Sequence, residues 1–479
     1  MLRGVLIGLL SLACLPAPAA HPIGKFNVLF VVVDDLRPDL GCYGNSLVVS
    51  PKIDALAHDG IVFNRAYCQQ ALCSPSRASV LTGLRPDTTK IFDNKTPIRS
   101  RISNHATLPQ YFKEHGYRTL SLGKVYHDFQ DDPQSWSAPP WHPEHQEYAR
   151  PEKLSLNGKA GEAAAKGPAW EDAEVPDNTF RDGKTADRAV DILSALKDER
   201  FFLAVGFRKP HLPFVAPKKY YDLYAHDRLR LANNPFAPRG VPSIAMEDSI
   251  ELRLFYRGIP EKPIPVPDET ARDLIHGYYA CISYVDSQIG RVLAEINRLG
   301  LREHTVIVLW GDHGWHLGEH GVWGKSHNFE TTTRAPLIVS VPGQTKCGVA
   351  TDALVELVDL YPTLAELCGL PVPGGLDGIS MVPVIDAPDR PWKKAAFSQY
   401  ARHAGKIMGY SLRTDRYRYT EWAKVDDHST LGVELYDHEV DPDENVTLAG
   451  DPGRSELVTG LSRQLRAGWR EALPMAGAP

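Results

Sequence analysis

Cysteine is scarce in this chain: there are seven in 479 residues, and they show no metal-ligand spacing. That excludes a cysteine-based zinc module, and a core of this length does not require disulfides even where they are permitted. Positive charge is not in excess either, with 53 Lys and Arg against 59 Asp and Glu and a formal charge of −6, which argues against a nucleic-acid partner. It leaves room for an anionic substrate, because a local cluster of Lys, Arg and His can oppose the net charge. Beyond the first twenty residues no apolar run is long enough to span a bilayer, so no transmembrane segment is expected. No internal repeat is visible. What remains, 43% hydrophobic and 23% charged residues, is the composition of an ordinary globular protein, and the length suggests two or three domains.

The N-terminus has a basic start at Arg3, an apolar run over residues 5–15 and small residues at Ala17, Ala19 and Ala20. This pattern predicts a secretory signal peptide over residues 1–20 and a secreted or periplasmic protein. Ser11-Leu12-Ala13-Cys14 is a poor lipoprotein cleavage box, and lipid anchoring is the lesser expectation.

Residues 27–33 form a continuous run of strand formers, as fits a strand covered on both faces, and it ends at Asp34-Asp35. Strands are also expected at 61–67, 118–122, 201–206, 305–310 and 336–341. Helices are expected at 51–58, 107–115, 184–196, 270–299 and 357–367. The alternation predicts an α/β fold with a doubly wound, mostly parallel central sheet flanked by helices. Residues 131–182, rich in Pro, Trp and Gly, read as a surface insertion, and 234–267 as a proline-rich excursion. After about residue 385 the pattern changes to short strand-like runs at 406–413, 416–421 and 433–436, with a terminal helix at 455–470. The expected organisation is therefore a catalytic domain over 21–385 and a smaller C-terminal subdomain with an antiparallel sheet over 386–479.

The stretch from Leu72 to Arg85 carries the chemistry. Cys73 stands at the mouth of a short helix, Pro75 fits the first turn, and Arg77 follows one turn along. Unpaired amides, the helix dipole and a guanidinium make a setting suited to an anion. The spacing is equally that of a buried structural cysteine. Four predicted strand ends also bear polar residues: Asp34 and Asp35; Lys124 and His127; Lys209 and His211; Asp312 and His313. Lys325 lies in the loop beyond. Their recurrence at the same end of successive strands predicts one shared site. Asp34, Asp35 and Asp312 would repel one another without a cation. Oxygen ligands favour Ca²⁺, while His313 leaves Zn²⁺ or Mn²⁺ open.

Cys73-x-Pro75-x-Arg77 followed by Leu81-Thr82-Gly83 resembles the signature of type I sulfatases, of the alkaline phosphatase superfamily. Val33-Asp34-Asp35-Leu36-Arg37-Pro38, Gly123-Lys124-Val125-Tyr126-His127, Lys209-Pro210-His211 and Asp312-His313-Gly314-Trp315 resemble its iduronate-2-sulfatase branch. The resemblance implies that a formylglycine-generating maturation enzyme oxidises Cys73 to formylglycine. It also implies that Asp34, Asp35, Asp312 and His313 bind Ca²⁺ together with residue 73, and that Arg77, Lys124, His127, His211 and Lys325 surround the sulfate. One hydroxyl of the hydrated aldehyde would attack sulfur, with Lys124 and Lys325 on the sulfonate oxygens. His211 would protonate the leaving oxygen and His127 would take the proton that expels sulfate. Trp315 is expected to stack on a sugar. The implied substrate is a sulfated saccharide, attacked in exo fashion at the 2-O-sulfate of a terminal uronate.

With Cys14 in the signal and Cys73 assigned to the site, Cys42, Cys68, Cys281, Cys347 and Cys368 leave at least one thiol unpaired. The alternative is a phosphatase or phosphodiesterase of the same superfamily. Such an enzyme would bear Ser or Thr as nucleophile and ligands for two metals, and Cys-x-Pro-x-Arg with one ligand set favours the sulfatase. A glycan-binding descendant without activity would show broken site residues, and none is broken.

Overall fold

The computed structural model describes residues 24–128, 130–144, 146–150, 167–246 and 250–474. The expected signal peptide and the expected lipoprotein box lie outside these residues. The central sheet has seven strands: β1 (Asn27–Val33), β2 (Ile61–Phe63), β3 (Arg118–Gly123), β4 (Phe201–Phe207), β5 (Thr305–Gly311), β6 (Leu337–Ser340) and β7 (Val349–Thr351). Their order is β7-β2-β6-β5-β1-β4-β3. All pairings are parallel except those of β6, which runs antiparallel to both β5 and β2.

All seven residues of β1 are buried, and the pleat divides them between two cores. Leu29, Val31 and Val33 face one core, and Val28, Phe30 and Val32 face the other, as alternation along a strand requires. β4 and β5 divide in the same way. The first core is closed by α1 (Pro51–His58), α4 (Arg181–Leu196) and α5 (Asp268–Arg298). The second is closed by α2 (Cys73–Thr82), α3 (Leu108–Glu114) and α6 (Leu360–Leu367). Each large side chain buried this way contributes roughly 1.5–3 kcal/mol, so a polar residue at Phe30 or Val308 would be expected to unfold the sheet from its centre.

The C-terminal strands β8 (Ala396–Arg402), β9 (Ile407–Arg413), β10 (Tyr417–Lys424) and β11 (Thr430–Asp437) form an antiparallel meander. Helix α7 (Ser455–Ala467) lays Leu461 and Leu465 against Leu412, Tyr419 and Leu435 of that sheet. Six cysteines are described and all are free thiols. No described helix is long and apolar enough to cross a membrane.

Candidate active site

The sheet register lines up the strand ends. Val33 of β1 pairs with Gly311 of β5 and with Phe207 of β4, and Gly206 pairs with Gly123 of β3. The residues that follow, Asp312, Asp34, Arg208 and Lys124, therefore emerge side by side at the carboxyl edge, where open α/β sheets place their ligands. Gly123 and Gly206 permit this closeness: a Cβ on Gly123 would collide with the Gly206 carbonyl, and one on Gly206 with the Lys124 carbonyl. Asp35 has a φ of 58°, in the left-handed region that Asp tolerates better than most residues. That break in the pleat lets Asp34 and Asp35 serve the same site.

Helix α2 lies over this edge. All ten of its residues are buried, and Ser76 Oγ donates to the Asp312 carbonyl at 2.5 Å. Arg77, 1% exposed, joins two strands: its Nη2 donates to Asp34 Oδ1 and its Nε to Asp312 Oδ2, both at 2.9 Å. Lys124 Nζ lies 2.6 Å from Asp34 Oδ2, and Lys325 Nζ 2.6 Å from Asp35 Oδ1. Asp312 Oδ1 accepts the Asp35 backbone N–H at 3.0 Å. Cys73 Sγ is at the centre, 3.3 Å from Lys325 Nζ, 3.5 Å from His313 Nε2 and 4.0 Å from Asp35 Oδ1.

The electrostatics follow from burial opposed by partners. Burial alone would raise the Asp34 carboxyl, yet Lys124 and Arg77 hold it well below the usual range. For Asp35 burial prevails, and the carboxyl is lifted well above its ordinary value in spite of Lys325. Burial would lower His313, but Asp312, Cys73 and Asp35 lift it to about 9. Burial and the Lys124 charge push His127 down to about 4, so its imidazole is neutral at neutral pH. Burial, Lys325 and Arg208 press His211 well below its ordinary value.

A divalent cation suits this donor set. Asp35 Oδ2 is buried without a hydrogen-bond partner among the described residues. Asp34, Asp35, Cys73 and His211 offer ligand atoms within one cluster, and Cys73, Asp312 and His313 within a second that shares the cysteine. Three carboxylates already face three cations, Arg77, Lys124 and Lys325. An added divalent ion would make the pocket positive and would favour an anionic ester.

Two readings change in three dimensions. Trp315 is 1% exposed, so its ring has no open face for a sugar. It packs edge-on to Phe214 and lies under Lys325, whose Nζ is 5.2 Å from the ring centroid. Lys209 turns away from the cysteine, and its Nζ donates to the carbonyls of His211 and Pro213, bracing the loop that carries His211. His127 stays near the edge, with Nε2 3.5 Å from Asp128 Oδ2 and Nδ1 buried without a partner among the described residues.

The sequence reading passed over Glu251, whose carboxylate reaches His211 Nε2 at 3.1 Å and Lys325 Nζ at 3.5 Å. It lies in a short helix, Ile250–Phe255, within the proline-rich excursion, where no spacing marks it. Arg208 and Asp128 were equally unassigned, although both adjoin motif residues.

A cysteine-bearing helix lies across the carboxyl edge of a mostly parallel sheet, over buried carboxylates, and the chain that forms it belongs to the sulfatase family. The sulfatase family model matches residues 26–370, and a model described as the C-terminal part of N-sulphoglucosamine sulphohydrolase matches residues 318–471. Iduronate 2-sulfatase of Mus musculus is 38% identical, with 91% of this chain and 93% of that protein covered. The Homo sapiens enzyme is 37% identical, over 90% and 92%. Among solved structures, BT4656 in complex with D-glucosamine-2-N,6-O-disulfate superposes with a TM-score of 0.74 at 23% identity, over 92% of this chain and 97% of that one. This protein is accordingly a sulfuric ester hydrolase.

Proposed function

We propose that the enzyme removes the 2-O-sulfate from a terminal uronate of a sulfated saccharide, acting in exo fashion. The observation that carries this reading is the buried convergence on Cys73, with Lys325, His313 and Asp35 all within 4.0 Å of its Sγ. The choice of sugar is supported by the likeness to two iduronate 2-sulfatases over nine-tenths of both chains. We further infer a secreted or periplasmic location from the N-terminal pattern, and a boundary between catalytic domain and C-terminal subdomain near residue 385.

Asp34, Asp35, Asp312 and His313 would hold Ca²⁺, with residue 73 beside them. Formylglycine made from Cys73 would supply a hydroxyl nucleophile, and the ion would supply positive charge next to it. The remaining work falls to the chain's own groups. Arg77 fixes the two aspartates that flank the nucleophile. The Lys124 and Lys325 ammonium groups offset charge on the non-bridging oxygens of the ester. His211 Nδ1 donates to the Leu212 carbonyl at 2.6 Å, so the transferable proton would sit on Nε2, between the Glu251 carboxylate at 3.1 Å and the departing sugar oxygen. Burial opposes that proton, and the Glu251 carboxylate and an incoming sulfate anion favour it. His127, neutral at neutral pH, can accept the proton released when sulfate leaves.

The test is sulfate release from a panel of sulfated mono- and disaccharides. A 2-O-sulfated uronate at the non-reducing end should be the preferred substrate. Preference for an internal or a 6-O position would overturn the choice of sugar while leaving the sulfatase itself standing.

A further inference from the structure

Helix α2 carries residue 73 at its first position, yet it has no cap of its own. The residue before it, Leu72, has no side-chain acceptor. A cap side chain ordinarily accepts from the second or third N–H of a helix. The third residue here is Pro75, which has none, and the Ser76 N–H already bonds to the Leu72 carbonyl at 3.0 Å. That leaves the Ser74 N–H, adjoining residue 73, as the one a cap can hold. It is held from outside the helix: Asn94, 20 residues on in sequence, accepts it on Oδ1 at 3.0 Å.

The loop that presents Asn94 is fixed on three sides. Asp93 Oδ1 accepts the N–H groups of Lys95 and Thr96 at 2.7 and 2.8 Å, a local turn of the kind Asp side chains make. Nε2 of the buried Gln70 donates to the Phe92 carbonyl at 2.8 Å. Gln130 Nε2 donates to the Asn94 carbonyl at 2.6 Å, and the Gln130 N–H to the His127 carbonyl at 3.0 Å. Asn94 therefore joins two parts of the site, with its side chain on the backbone next to residue 73 and its carbonyl, through Gln130, on the turn that bears His127. Ser76 and Arg77 also anchor α2, to the Asp312 and Val125 carbonyls, but through side chains further along. Asn94 holds the backbone of the first turn itself.

We propose that Asn94 is a positioning residue for the hydrolysis. By capping α2 at Ser74 it fixes the direction in which residue 73 presents its side chain, and through Gln130 it keeps that side chain in register with His127. This rests on the reading of residue 73 as the nucleophile. A displacement of about 1 Å in a reacting group costs on the order of 100-fold in rate, and the uncapped first turn of a helix is the part least held by its own hydrogen bonds.

The experiment measures kcat and KM for Asn94→Ala, Asn94→Asp and Gln130→Ala on the sulfate ester that the wild type cleaves fastest. Rates are expressed per formylglycine found at position 73 by peptide mass spectrometry. Asn94→Ala removes the acceptor and should lower kcat by about 10- to 100-fold with KM nearly unchanged. Asn94→Asp keeps an acceptor and adds a charge that a helix N-terminus favours, so kcat should return close to the wild-type value. Gln130→Ala leaves the cap and loosens the loop, and should lower kcat by a smaller factor. Melting temperatures identify the folded variants; if Asn94→Ala is not among them, Gln130→Ala carries the test, and a wild-type kcat there overturns the proposal. A wild-type kcat in folded Asn94→Ala overturns it too. So does a loss that falls on KM alone, or one as deep in Asn94→Asp as in Asn94→Ala, because either would put the amide Nδ2 on the substrate instead. Activity in protein that holds only the Cys73 thiol is a different failure: it removes residue 73 as the nucleophile, and this inference falls with it.

Discussion

The Glu251 carboxylate joins the two groups that the proposed mechanism sets at opposite ends of the ester bond: Oε1 is 3.1 Å from His211 Nε2, and Oε2 is 3.5 Å from Lys325 Nζ. Glu251 is thereby the natural counter-charge for a protonated His211. Glu251→Gln should move the alkaline limb of the kcat profile to lower pH by about one unit or more, because an opposite charge at this distance favours the imidazolium. A limb that stays in place would remove Glu251 from the proton inventory.

His211 as general acid makes its own prediction. A positioned acid contributes on the order of 10² to 10⁴ in rate, and more when the leaving group is poor. His211→Ala should cut turnover of a sugar sulfate by that range and turnover of 4-nitrophenyl sulfate far less, since nitrophenolate needs little protonation. Equal losses on the two substrates would mean that His211 binds sulfate and that the acid is another group.

Formylglycine at position 73 is open to direct measurement. The peptide carrying residues 73–77 should weigh less than its thiol form by the exchange of one sulfur and two hydrogens for one oxygen. An active preparation holding only the thiol would rule the mechanism out. Cys73→Ser should abolish turnover and leave melting almost unchanged, because the substitution alters little volume at a buried position.

The metal is tested at Asp312, where Oδ1 accepts from the Asp35 N–H and Oδ2 from Arg77 Nε. Asp312→Asn should weaken Ca²⁺ binding by about 10- to 100-fold or more. The rise in melting temperature expected from Ca²⁺ in the wild type should shrink accordingly. Isothermal titration together with melting curves, with and without chelator, checks both. A wild type whose activity and melting temperature ignore chelator would refute the calcium assignment.

Acid stability should depend on Glu319, which accepts from Arg37 Nη1 at 2.8 Å and from the Leu317 N–H at 2.6 Å. Burial works against this carboxylate, but Arg37 and His316 outweigh it and bring Glu319 from its ordinary 4.5 down to about 2. A depressed acid stabilises the fold above its unfolded value and loses that contribution as pH falls. The loss should therefore run from about pH 4.5 to about pH 2 and amount to something on the order of 3 kcal/mol. Denaturant unfolding of Glu319→Gln should show a flatter decline across that window than the wild type. Parallel curves would contradict the pairing.

Much of this architecture is written locally. The apolar run of β1 is long, β-branched and bounded by two aspartates, so its burial on both faces and its end at Asp34 follow from composition. α1 matches its expected bounds, and α5 comes within two residues, because a helix carries its own hydrogen bonds and its apolar face repeats over many turns. The spacing of Cys73 and Arg77 is likewise a property of one helix, and its chemistry could be read before any fold was known.

Other features belong to contacts between distant segments, and local pattern could not specify them. β8 escaped notice because polar Ser398 and Gln399 interrupt it. They are accommodated by bonds across the domain, Ser398 Oγ to the Cys68 carbonyl and the Gln399 N–H to the Gln69 carbonyl. The direction of β6 is set by the strands it enters between. Trp315 carries the same residues around it whether it faces a sugar or the core, and only the packing of Phe214 and Lys325 decides for the core. Glu251 and Arg208 reach the site because the sheet and its long excursion bring together residues hundreds of positions apart, as with Lys325 and Asp35 at 290. Sequence alone therefore determined the long, strongly patterned strands and helices and which residue types could do the chemistry. The partners of each charge were decided only when the strand ends came into register and burial left each charge to find an opposing one.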